Sequence, residues 1–117
     1  MPLDPGRVVG DLKELRERTG NDDGAQRVAW TDTWETAREL LRTNVEPTGA
    51  TETIDEAGNQ WFTLAGASHK VLVLGGHMDS VPNGGWLDGS LNVLAGLASF
   101  VVPTDQPRRF YHVVVVN

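Results

Sequence analysis

Two apolar runs rich in β-branched residues, Lys70-Val71-Leu72-Val73-Leu74 and Phe110 to Val116, bracket a stretch of helical spacing. Continuous runs of this kind read as strands buried on both faces. Between them, Leu91, Leu94, Ala95 and Ala98 share a face of a helix expected from about Gly89 to Val102, with Pro103 as its stop. Strand, loop, helix and strand in that order predict a βαβ unit with parallel strands and a right-handed crossover. The fold class is α/β.

The upstream half reads as two helices and a hairpin. Val8, Leu12 and Leu15 recur at helical spacing from about Arg7 to Thr19, and Gly20 stands as a stop before the turn cluster Asn21-Asp22-Asp23-Gly24. Asp32 and Glu35 have capping-box spacing, which starts a second helix with the apolar stripe Trp34, Ala37, Leu40 and Leu41, fading near Val45. From Thr48 the period becomes two. Thr51, Thr53 and Asp55 alternate with Glu52, Ile54 and Glu56, and Asp55 to Asn59 form a turn before Gln60-Trp61-Phe62-Thr63-Leu64.

Composition narrows the function. The chain has 117 residues, so it makes one domain at most. It carries 10 Lys+Arg against 16 Asp+Glu, a formal net charge of −6, which argues against counterion displacement from nucleic acid. No cysteine is present, which excludes disulfides, thiolate metal sites and a Cys nucleophile. No apolar run reaches the roughly 20 residues of a membrane span. The start, Met1-Pro2-Leu3-Asp4-Pro5-Gly6, resembles no signal peptide, so a cytoplasmic protein without membrane or nucleic-acid partners is expected.

One segment stands apart: Gly75-Gly76-His77-Met78-Asp79-Ser80-Val81-Pro82-Asn83-Gly84-Gly85-Trp86-Leu87-Asp88-Gly89. It follows an expected strand directly, where ligands bind in open α/β sheets. A neutral imidazole at His77 suits a borderline cation such as zinc. Asp79 is placed to accept the other ring N–H of that histidine, fixing its orientation. Asp88 lies where the next helix begins and could return to the same cavity as a metal ligand. Asp88 equally suits a helix N-cap, and Asp79-Ser80 an ordinary turn. His69 and His112 read as surface or core histidines. Trp30, Trp34 and Trp61 read as core or interface anchors, whereas Trp86, inside the loop, could line a pocket. Ser80 lacks the Gly-x-Ser-x-Gly setting of a serine nucleophile.

The wording from His77 through Gly85, with Asp88-Gly89 and Val93-Leu94-Ala95-Gly96-Leu97, closely resembles the hydantoinase/carbamoylase-type amidases. These include N-carbamoyl-L-amino-acid hydrolases, β-ureidopropionases and allantoate amidohydrolases. The resemblance extends upstream through Gly24 to Thr31, Trp34, Ala37-Arg38 and Asp55 to Trp61. It implies the N-terminal part of a dinuclear-zinc, aminopeptidase-like hydrolase domain. It also implies His77 as a metal ligand, Asp88 as the carboxylate bridging two metals, and Asp79 as the catalytic-site acid that orients His77. The cofactor implied is a divalent metal, two per complete site: zinc, or else manganese, cobalt or nickel. The substrate implied is a small amide or ureido compound such as an N-carbamoyl amino acid.

In that family a Glu-Glu pair, supplying the general base and a ligand, follows the strand matching Phe110 to Val116. Residues 1–117 are therefore expected to be a partial zinc-hydrolase catalytic domain, truncated before that pair. The dimerisation domain through which relatives form homodimers is likewise expected to be absent. Asn92 departs from the family's usual glycine, and Val101 to Pro107 from its longer helix. Two readings follow: a metal-dependent hydrolase of linear carbon–nitrogen bonds, or a non-catalytic remnant without turnover. Buried-type strands such as Val113 to Val116 need cover on both sides, so an open apolar face and self-association are expected of the chain alone.

Overall fold

The computed structural model describes the backbone of residues 4–100 and 112–116 and the side chains of residues 4–99. The expected helix end at Val101-Val102, its stop at Pro103, the segment through Pro107, the strand start at Phe110-Tyr111 and the surroundings of the His112 side chain lie outside the described residues.

Helix α1 spans Pro5–Thr19. Asp4 caps it, its carboxylate accepting the amide N–H groups of Gly6 and Arg7, and Arg16 and Arg18 place positive charge in the last turn, where the helix dipole favours it. The turn cluster becomes a short antiparallel hairpin of β1 (Gly20–Asn21) and β2 (Gly24–Ala25). Helix α2 spans Asp32–Val45, as its spacing predicts, but its N-cap is Thr31, whose hydroxyl accepts the Trp34 amide at 3.4 Å. Trp34, Ala37, Leu40, Leu41 and Val45 are all buried. A 3-10 turn, Glu46–Thr48, leads to β3 (Thr51–Ile54), β4 (Gln60–Leu64) and β5 (Val71–Gly75), followed by α3 (Ser90–Phe100) and β6 (His112–Val116).

The main sheet has the order β3-β4-β6-β5. Strands β5 and β6 pair in parallel, with Val71 opposite His112 and Gly75 opposite Val116. This is the predicted βαβ unit, with α3 as its helix. Strand β6 also pairs antiparallel with β4, which ties the unit to the hairpin. In β4, Gln60, Phe62 and Leu64 are buried, and Phe62 and Leu64 join α1, α2, Met78 and α3 in one apolar core.

Two further sequence expectations need correction. The buried stripe of α3 is Ser90, Val93, Leu94, Leu97 and Ala98, while Leu91 and Ala95 face outward. The helix is apolar on nearly every side, so spacing alone cannot select its inner face. Strand β5 is not buried on both faces either. Leu74 packs against the core, but Val71 and Val73, on the opposite face, are 56% and 54% exposed. Strand β5 is also an edge of the sheet, and no described element covers that face.

Candidate functional site

Strand β5 ends at Gly75, and the loop to α3 carries His77, Asp79 and Asp88. Two glycines let its ends converge. A Cβ on Gly76 would stand 3.0 Å from the Gly89 carbonyl oxygen. Gly89 has φ 74°, and a Cβ there would collide with the His77 carbonyl oxygen and lie 2.6 Å from its Nδ1. Only glycine accepts both that backbone and that crowding.

The middle of the loop is strapped to β2 and the residues after it. Ala25 and Gly84 exchange backbone hydrogen bonds of 2.8 and 3.0 Å. The Ser80 amide donates to the Arg27 carbonyl at 2.8 Å, and the Ser80 hydroxyl accepts the Arg27 amide at 3.0 Å. Gln26 and Asn83 are joined twice, side chain to side chain and side chain to backbone. Arg27 is fully buried, and its Nε donates to the Met78 carbonyl at 2.6 Å. Among the described residues its Nη1 and Nη2 atoms have no partner. Burial lowers the pKa of this guanidinium against the opposing pull of Asp79 and Asp88. A buried cation thus stands behind an acidic loop.

The three residues singled out in the sequence are brought together. His77 Nδ1 lies 3.0 Å from the Asp79 backbone oxygen and 3.2 Å from its Oδ1. Its Nε2 lies 3.8 Å from Asp88 Oδ1. Both atoms facing Nδ1 are acceptors, so in a neutral ring Nδ1 carries the proton and Nε2 turns its lone pair toward Asp88. The N-cap position falls on Gly89 and not on Asp88: α3 begins at Ser90, the Asn92 and Val93 amides donate to the Gly89 carbonyl, and among the described residues no backbone N–H donates to the Asp88 carboxylate. An ordinary Asp79-Ser80 turn does not hold either, because Asp79 is engaged with His77 and Ser80 with Arg27.

An imidazole lone pair facing a carboxylate is the right chemistry for a divalent cation, with the second ring nitrogen held as a ligand histidine requires. Among the described residues the number of donors is smaller than a complete site needs. Among the described residues no group of three or more His, Asp or Glu side chains is arranged to hold a metal ion. His77 and Asp88 fit as part of a centre, not the whole of one.

Beside His77 lies an open cavity of about 280 Å³. Gly76, His77 and Asp79 form one side, and Ala29, Trp30, Trp34 and the turn Ala57-Gly58-Asn59 form the other. Sequence reasoning missed this second wall, because it depends on α2 meeting the β3–β4 turn. The signal available was Gly58, which has φ 85° and sits under the Trp30 ring. Trp86, which could line a pocket, is not part of this cavity's lining; it packs against the core, with the Arg16 guanidinium 5.4 Å from its ring. Trp30 is no core anchor: it is 74% exposed.

No family model matches the chain. It is 35% identical over 78 residues to an allantoate amidohydrolase of Bacillus subtilis, covering 65% of this chain and 19% of that protein. It is 32% identical over 114 residues to an N-carbamoyl-L-amino-acid amidohydrolase of Rhizobium meliloti, covering 95% of this chain and 27% of that one. The solved structure of a hydantoinase/carbamoylase-family amidase from Burkholderia multivorans superimposes with a TM-score of 0.89 at 31% identity, over 97% of this chain and 29% of that chain. The corresponding amidase from Burkholderia vietnamiensis gives 0.88 at 33%, with the same coverage. The class is thus the α/β fold of these amidases. Over nearly its whole length the chain matches amidases of the hydantoinase/carbamoylase family, and it spans 29% of the length of those structures.

Proposed function

We propose that this chain contributes one side of a divalent-metal centre in a hydrolase of carbon–nitrogen bonds, acting on linear amide or ureido compounds such as N-carbamoyl amino acids. The observation that carries the proposal is the placement of His77 between two carboxylates, with Asp79 at Nδ1 and Asp88 Oδ1 3.8 Å from Nε2. Asp79 holds the ring proton and the ring plane, leaving Nε2 free as a donor. Asp88 would supply a carboxylate oxygen beside that nitrogen to help hold a divalent metal. His77 and Asp88 would hold the metal, whose chemistry when bound would be to activate water and polarise a carbonyl. Zinc suits the imidazole and carboxylate donors best, and a cytoplasmic setting is part of the same reading.

Titration of zinc and cobalt into the chain by calorimetry tests the proposal. Saturable binding that weakens at least tenfold in both His77→Ala and Asp88→Ala is the expected result. Affinity unchanged by either substitution overturns it. A second reading is a non-catalytic remnant of such a hydrolase, without turnover. Metal-dependent hydrolysis of an N-carbamoyl amino acid by the chain, abolished in His77→Ala, would refute that second reading.

A further inference from the structure

The wall opposite His77 is built with more constraint than a surface turn needs. Trp30 has φ 70°, a left-handed backbone that a bulky residue rarely adopts, and such strain persists where the surroundings impose it. Its ring lies against Gly58, where a Cβ would come within 2.8 Å of the indole Cη2. Trp34 supports it from behind, with ring centroids 4.9 Å apart and tilted by 59°. Arg38 completes the stack. Its guanidinium sits 4.4 Å from the Trp34 ring, and its Nη1 donates to the Gly58 carbonyl at 3.0 Å. Helix α2 and the hairpin turn are thereby locked together, and the Trp30 indole is left 74% exposed.

We infer that Trp30 is the specificity-determining wall of a subsite for the apolar side chain of an N-carbamoyl amino acid whose ureido group lies at His77. This rests on the function proposed above and deepens it. Away from His77 and Asp79 the lining is Ala29, Trp30, Trp34, Ala57, Gly58 and Asn59, which offers aromatic and small apolar surface and no charge. A volume of about 280 Å³ is near the roughly 300 Å³ lower bound of small-molecule pockets, a size for an amino-acid derivative and not a peptide. A ligand made only of ureido and carboxylate groups would gain nothing from the indole face. A planar apolar side chain would stack on it, worth a factor of roughly 2 to 12 in affinity.

The test uses the full 117-residue chain, labelled with nitrogen-15. N-carbamoyl-L-phenylalanine and N-carbamoylglycine are each titrated while the Trp30 indole N–H and the Gly58 amide are followed by NMR. Saturable shifts at both groups, with the phenylalanine compound binding at least fivefold more tightly, are expected. That preference should vanish in Trp30→Ala and persist in Trp30→Phe. Equal affinity for the two ligands, no saturable shift with either, or a preference that survives Trp30→Ala overturns the inference. The comparison within the wild-type chain stands even if a variant fails to fold. Zinc titration of Trp30→Phe separates the two proposals: zinc affinity equal to wild type with no ligand preference sinks the subsite alone, and zinc that never binds wild type sinks the metal centre alone.

Discussion

His77 Nε2 stands 3.8 Å from Asp88 Oδ1, although one residue follows a strand and the other precedes a helix. Gly89 makes the approach possible, because its backbone at φ 74° passes directly beneath the imidazole. Gly89→Ala should therefore cost more than ~2 kcal/mol, combining left-handed strain with a backbone collision. Urea unfolding measures the loss, and zinc calorimetry should show at least a tenfold weaker site.

Asp79 touches His77 and leaves its own carboxylate partly exposed. Asp79→Asn keeps the shape but weakens the acceptor that holds the Nδ1 proton. Zinc affinity should fall about 10- to 100-fold, the range for partners of ligand histidines, while the urea midpoint stays nearly constant. An unchanged zinc affinity would show that Asp79 does not orient the ring.

Asp55 contributes to the acid limb of stability. Its carboxylate accepts the Trp61 indole N–H at 2.8 Å, the Asn59 side-chain amide and the backbone amides of Ala57 and Asn59. These contacts, the indole foremost, lower its pKa from 3.8 to about 2. The folded state therefore holds this proton more weakly than the unfolded chain does. The stabilisation is complete above pH 3.8 and is lost as pH falls toward about 2. Melting temperature should drop more steeply across that window in wild type than in Trp61→Phe.

Val71 and Val73 expose one face of an edge strand. Exposed apolar edges associate, and lysine on them opposes pairing. The 117-residue chain should self-associate in sedimentation experiments, and Val73→Lys should shift it toward monomer without lowering the melting temperature. A wild-type chain that stays monomeric at high concentration would contradict this.

Much of the fold was legible because its signals are local. The stripe of α2, the Asp55–Asn59 turn and the order of β5, α3 and β6 follow from period and turn chemistry over a few residues. The inner face of α3 was not, since Leu91 is as apolar as Leu97 and Ala95 as apolar as Ala98, and only the neighbours of the helix choose between them. The cap of α2 fell on Thr31 instead of Asp32 because both residue types cap well and the backbone turns one position earlier. Arg27 carries no periodic signal, so its hold on Met78 and Ser80 emerges only from the folded loop.

By itself the sequence determined which residues can do chemistry here: a histidine, two aspartates and the glycines that let a loop turn sharply after a strand. The tertiary structure decided which of the histidine's nitrogens faces which aspartate, and that Trp30, not Trp86, walls the cavity. The physical reason is that residue type and spacing are properties of the chain, whereas the direction of a side chain depends on what packs against it from elements distant in sequence.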